Sequence, residues 1–85
     1  MDKILVEVYC GATDKTYDFL LPGLMKVKVA RNKIMEQIVA FEQNDNLFEK
    51  SSMILLADKD GREILNEDFT LEQAGISGGN RLIII

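Results

Sequence analysis

Residues 69–85 read FTLEQAGISGGNRLIII, and the folding of this stretch decides the architecture of the rest. Thr70–Ile76 (TLEQAGI) has the composition of a short helical turn. Ser77–Asn80 (SGGN) is turn chemistry that swings the chain into a last strand, RLIII. In that strand Leu82 and Ile84 share one face, while Ile83 and Ile85 share the other. A chain end made of isoleucines calls for an explanation, because termini are ordinarily polar and frayed. The expectation is that this strand is held inside the fold or against another surface.

Working outward, the first segment KILVEVYC alternates: Ile4, Val6, Val8 and Cys10 fall on one face, with Leu5, Glu7 and Tyr9 on the other. GATDK carries turn residues, and TYDFLLP alternates again, with Tyr17, Phe19 and Leu21 inward and Pro22 closing the run. Two strands so briefly joined predict an antiparallel hairpin. The period then changes. Val27, Ala30, Ile34, Ile38 and Phe41 recur at helical steps, predicting one helix over Val27–Asn44. NDNLFEKSS reads as a loop, MILLA as a third strand, DKDG as a tight turn and REIL as a short fourth strand. The fold class is therefore α+β, a mixed sheet wrapped around one helix. Its expected core joins the helical stripe to Ile4, Val6, Val8, Phe19, Leu21, Ile54, Leu56, Leu82 and Ile84. Periodicity does not set the strand order.

The chain has 85 residues and one cysteine, Cys10. That length makes a single domain, 1–85, with room for one core. No run approaches the ~18–20 apolar residues of a membrane span, and no charged-then-apolar leader is present. The lone cysteine excludes an internal disulfide framework and fits a reducing compartment, so a cytoplasmic location is expected. Net charge is −4. The densest basic stretch, Lys26, Lys28, Arg31 and Lys33, spreads around a helix rather than forming a phosphate track, so nucleic acid is not an expected partner.

The hairpin, the central helix and the final stretch resemble the ubiquitin-like β-grasp family. The detail is carried by Thr70, Leu71, Gly75, Ile76, Gly79, Arg81, Leu82 and Ile84. Within that family, TYDFLLP and AGISGGNRL look most like the YukD family, small ubiquitin-like proteins encoded with Gram-positive type VII secretion systems. Related segments stand at the N-terminus of a membrane component in the mycobacterial versions. The resemblance implies a five-stranded sheet of order 2-1-5-3-4, its last strand central and parallel to the first. It also frames a chemical contrast. Conjugated modifiers and sulfur carriers of this fold extend past the last strand into a Gly-Gly tail that an activating enzyme adenylates. Here the sequence stops at Ile85, and Gly78 and Gly79 precede the strand, so neither conjugation nor sulfur transfer is expected.

Catalytic and metal chemistry find little support. There is no histidine, hence no imidazole base and no usual zinc ligand. Cys10 lacks an activating partner and reads as a small hydrophobe at a strand end. In DKDGRE, Asp58 and Asp60 suggest a calcium loop, yet Gly61 follows too soon and Glu67 has no flanking helices, so a hairpin turn is the better reading. GISGGN precedes a strand rather than a helix and lacks the Lys-Ser/Thr of a phosphate loop. Glu36, Glu42, Glu63, Glu67 and Glu72 show no pairing spacing. No cofactor is expected, and no enzymatic activity.

One feature remains. The outer sheet face is expected to carry Leu5, Tyr9, Leu20, Leu55, Ile83 and Ile85, where a sheet covered by a helix on one side only should be polar. Leu55 and Ile85 fall where ubiquitin-like proteins carry apolar residues of their partner-binding patch. Such a patch marks an interface. Met35 and Val39 form a weaker apolar pair on the helix, expected to be covered by the loop bearing Leu47 and Phe48. The sequence thus points to a non-catalytic adaptor that binds another protein through this face. The resemblance implies a partner in a type VII secretion machine, such as its membrane ATPase or pseudokinase-like subunit, with peripheral attachment to the inner membrane face. A C-terminal carrier and a structural homodimer are the rival readings.

Overall fold

The computed structural model describes residues 3–48, 56–58 and 63–84. Its elements are β1 (Lys3–Cys10), β2 (Lys15–Pro22), α1 (Val27–Glu42), β3 (Leu56–Asp58) and β4 (Arg81–Ile84). The described strands form one sheet of order β2-β1-β4-β3. β1 and β2 are the antiparallel hairpin, in register from Lys3 opposite Pro22 to Cys10 opposite Lys15. β4 lies centrally and runs parallel to β1, with Val8 opposite Leu82 and Cys10 opposite Ile84. β3 pairs antiparallel to β4.

Among the described residues this is the implied order, with four of the five expected strands. In the described part of REIL, residues 63–65, Ile64 stands in a single β-bridge and Leu65 is buried in the core. Of MILLA, residues 53–55 lie outside the described residues and with them Ile54 and Leu55, while β3 reaches Asp58. The turn residues 59–61 and Arg62 lie outside as well, as does Ile85.

The inner face is built as the alternation requires. Val6, Val8, Cys10, Phe19, Leu21, Leu82 and Ile84 are buried against Val27, Ala30, Ile34 and Ile38 of α1. Each of the valine, leucine, isoleucine and phenylalanine side chains contributes roughly 1.5–3 kcal/mol on burial. Phe41 departs from this expectation. It sits at the helical spacing of the stripe yet is 71% exposed. The last turn of α1 meets the edge strand β2 there, and the ring packs edge-on against Tyr17 at a centroid distance of 6.0 Å rather than entering the core.

The helix begins at Lys26, which supplies no side-chain cap. Its free amide groups are taken up by backbone instead: Val27 N–H donates to the Phe69 carbonyl at 2.8 Å and Lys28 N–H to that of Glu67 at 3.1 Å. The same crossing is reinforced by Leu71 N–H to the Met25 carbonyl and Glu72 N–H to that of Gly23, both 2.9 Å. Residues 67–72 therefore fix where the helix starts relative to the sheet.

The turn after it closes itself at both ends. Thr70 N–H donates to Gln73 Oε1 at 2.9 Å, and Gln73 N–H donates back to Thr70 Oγ1 at 3.0 Å. This is the reciprocal capping box. At the far end Gly75 takes a left-handed φ of 81°, which lets Ile76 N–H reach the Leu71 carbonyl and Gly75 N–H that of Glu72. Leu71 and Ile76 meet the core from this turn. Gly79, at φ 87°, then turns the chain so that Gly79 N–H donates to the Leu5 carbonyl and the parallel ladder begins.

Candidate protein-binding face

The outer face of the sheet is set by the two-residue period of β1, β2 and β4. Leu5 and Leu20 are direct cross-strand partners, 52% and 59% exposed. Two residues further along β1, Glu7 stands opposite Asp18 on one side and Arg81 on the other. Two residues beyond that, Tyr9 pairs with Ile83, and Ile83 with Ala57 of β3. Tyr9 and Ile83 are each partly buried.

The structure thus brings Leu5 to Leu20 and Tyr9 to Ile83, but in two apolar rows separated by a charged one. Arg81 Nε lies 3.4 Å from Glu7 Oε1 across that row. Leu55 and Ile85, the remaining two residues expected on this face, lie outside the described residues. The Tyr9 hydroxyl donates to Asp14 Oδ1 at 2.6 Å, and this bond is the leading reason its pKa is raised above 10.0. The apolar body of the ring stays on the sheet while its polar tip is held at the hairpin turn.

A second constellation joins the hairpin to the end of α1. Glu42 Oε2 accepts from the Tyr17 hydroxyl at 2.7 Å, and Lys15 Nζ lies 3.1 Å from both carboxylate oxygens. The Thr13 hydroxyl stands 2.7 Å from that of Tyr17. A carboxylate only accepts, so Tyr17 donates to Glu42 and receives from Thr13. Sequence reasoning missed this cluster, whose members lie in the hairpin and at the far end of the helix.

The other candidates resolve into structural roles. Cys10 is a free, buried thiol among core hydrophobes. Among the described residues, no cluster of cysteine and carboxylate groups has the arrangement of a metal site. Glu67, considered for calcium, forms an ion pair with Arg31, and Lys28 lies 3.5 Å from Asp68. Two members of the basic stretch are therefore engaged with carboxylates of the crossing loop. Phe48 comes alongside Met35 and Val39, and Leu47, Phe48 and Met35 pack against the core. No described helix is long and apolar enough to cross a membrane.

By sequence, the chain matches no protein-family model and no curated protein. By structure it has many neighbours. The ubiquitin-like domain of the Mycobacterium tuberculosis type VII secretion protein EccD1 superposes with a TM-score of 0.75 at 16% identity, covering 100% of this chain and 99% of that one. A chain of the MycP5-free ESX-5 inner membrane complex gives 0.77 at 17% identity, with all of this chain matched to 21% of that one. A chain of the toluene 4-monooxygenase HD complex with 4-bromobenzoate gives 0.80 at 10% identity, covering 98% and 96%. One architecture serves a secretion complex and an oxygenase, and at these identities the likeness speaks for the fold. The chain has the ubiquitin-like β-grasp fold, one helix packed on a mixed sheet.

Proposed function

We propose that this protein is a non-catalytic, non-conjugating ubiquitin-like adaptor of a type VII secretion system, of the YukD kind, acting through the outer face of its sheet. The observation that carries the reading is the Leu5–Leu20 pair, standing exposed on the sheet face opposite α1. Large apolar side chains paired across neighbouring strands lose solvent contact when a partner covers them, and charged neighbours at the rim set the register. Support for the secretion setting comes from the shared fold with the EccD1 domain and with a chain of the ESX-5 inner membrane complex. The partner is a membrane-bound subunit of such a machine, its ATPase or pseudokinase-like component, which would hold this protein at the inner face of the membrane.

Deleting the gene and measuring export of the system's substrates tests this directly. Wild type should restore export, whereas a Leu5→Asp/Leu20→Asp variant that folds normally should not. Unchanged export on deletion removes the secretion role. Full rescue by the double variant removes the face.

A further inference from the structure

The outer face carries a charge arrangement that the fold itself does not use. Glu7 and Asp18 are direct cross-strand partners. Glu7 lies between the buried Val6 and Val8, and Asp18 beside the buried Phe19, so both project from the face opposite the core. Like charges so opposed weaken strand pairing. Glu7 is compensated by Arg81 at 3.4 Å. Asp18 is not: among the described residues its carboxylate has no hydrogen bond or ion pair. It stands on β2, the edge of the described sheet, with no described strand beyond to supply a cation.

The apolar rows give this charge its setting. Leu5 with Leu20 lies on one side of the Glu7–Asp18 pair, and Tyr9 with Ile83 on the other. Successive rows are two residues apart along β1, a step of about 6.6 Å. An extended peptide repeats its same-side side chains with that same step.

We propose that this face binds an extended segment of another protein in which one arginine or lysine lies between two apolar residues, in the pattern apolar-x-basic-x-apolar. The inference rests on the adaptor reading of the face and names what the partner presents to it. One apolar side chain covers Leu5 and Leu20, the cation sits over Glu7 and Asp18, and the second apolar side chain meets Tyr9 and Ile83. The cation relieves the repulsion between the two carboxylates, and the chain's net charge of −4 favours its approach. A second copy of this chain is a poor occupant. In its own sequence the pattern occurs once, at Met1, Lys3 and Leu5, and Lys3 and Leu5 are already paired within β1 and β2.

The test uses the isotope-labelled full chain and two capped peptides, Leu-Ser-Arg-Ser-Leu and Leu-Ser-Glu-Ser-Leu, at millimolar concentration. The arginine peptide should shift the amide resonances of Leu5, Glu7, Asp18 and Leu20. The glutamate peptide should bind about fivefold more weakly, the scale of an exposed ion pair, and Asp18→Asn should narrow that preference. Equal shifts from both peptides, no shifts, or shifts elsewhere would overturn the proposal. Asp18→Lys should raise the thermal midpoint by removing the repulsion while abolishing arginine-peptide binding; a lowered midpoint contradicts the charge argument. Export lost with Leu20→Asp but kept with Asp18→Lys would leave the adaptor reading standing and remove the cation. Concentration-dependent dimerisation abolished by Asp18→Lys would give the face to a second copy instead.

Discussion

The Tyr17 hydroxyl donates to Glu42 Oε2 at 2.7 Å, tying the edge strand of the hairpin to the last turn of the helix. Lys15 approaches the same carboxylate from the solvent side, and Thr13 donates to Tyr17 from the hairpin turn. A continuous polar chain therefore runs along the rim of the core, where Phe41 caps Tyr17 without being buried.

This clamp has a pH signature. The Tyr17 hydrogen bond, and after it that of Lys15, holds the Glu42 carboxyl below its ordinary 4.5. The native state then binds this proton less readily than the unfolded chain does. Its contribution is present above about pH 4.5 and is lost as pH falls through the lowered native value. Glu42→Gln should therefore flatten the fall of stability as pH drops below about 5 in denaturant melts. Slopes parallel to wild type would mean that the clamp contributes nothing.

The self-closed turn should respond at each end. Thr70→Ala removes one half of the capping box and should cost about 1 kcal/mol. Gly75→Ala places a side chain at a φ of 81° and should cost a similar ~1 kcal/mol. Because Leu71 N–H and Val27 N–H are both satisfied across this crossing, hydrogen exchange at Val27 and Lys28 should quicken in both variants. Unaltered exchange there would show the turn to be uncoupled from the start of the helix.

Facing is tested by a contrast between two leucines. Leu82→Ala deletes a fully buried side chain and should cost about 2–5 kcal/mol. Leu20→Ser acts on an exposed position and should stay within about 0.5 kcal/mol of wild type in chemical denaturation. Comparable losses from both would mean that Leu20 is covered in the folded protein.

Much of this architecture was legible in the residues because period two and period 3.6 each bury one face. Val6, Val8, Leu82 and Ile84 went inward as their alternation required, and Val27, Ala30, Ile34 and Ile38 followed the stripe. Phe41 misled because helical phase says which way a side chain points but not whether the sheet extends far enough to meet it. The Tyr17–Glu42 contact was invisible for a related reason: it depends on where the helix ends relative to the hairpin, which is a tertiary quantity. The outer face was half legible. Its apolar members could be read from Leu5, Leu20 and Ile83, and Glu7 from its place between Leu5 and Tyr9, but the charged row that Glu7 forms with Asp18 and Arg81 could not. That row exists because register sets Asp18, Glu7 and Arg81 side by side, and register is a property of pairs of strands rather than of either sequence alone.

The parallel pairing of β1 with β4 joins the first strand to the last. Almost the whole chain must therefore be closed into a loop before the sheet acquires its centre. Local contacts in the hairpin and α1 form early and cheaply, but the ladder from Glu7–Arg81 to Cys10–Ile84 must await residues 81–84. During synthesis the hairpin thus waits with its inner edge unpaired, a template for any passing strand. Speed of folding, and the risk of aggregating before it is complete, both rest on how quickly Leu82 and Ile84 reach their places.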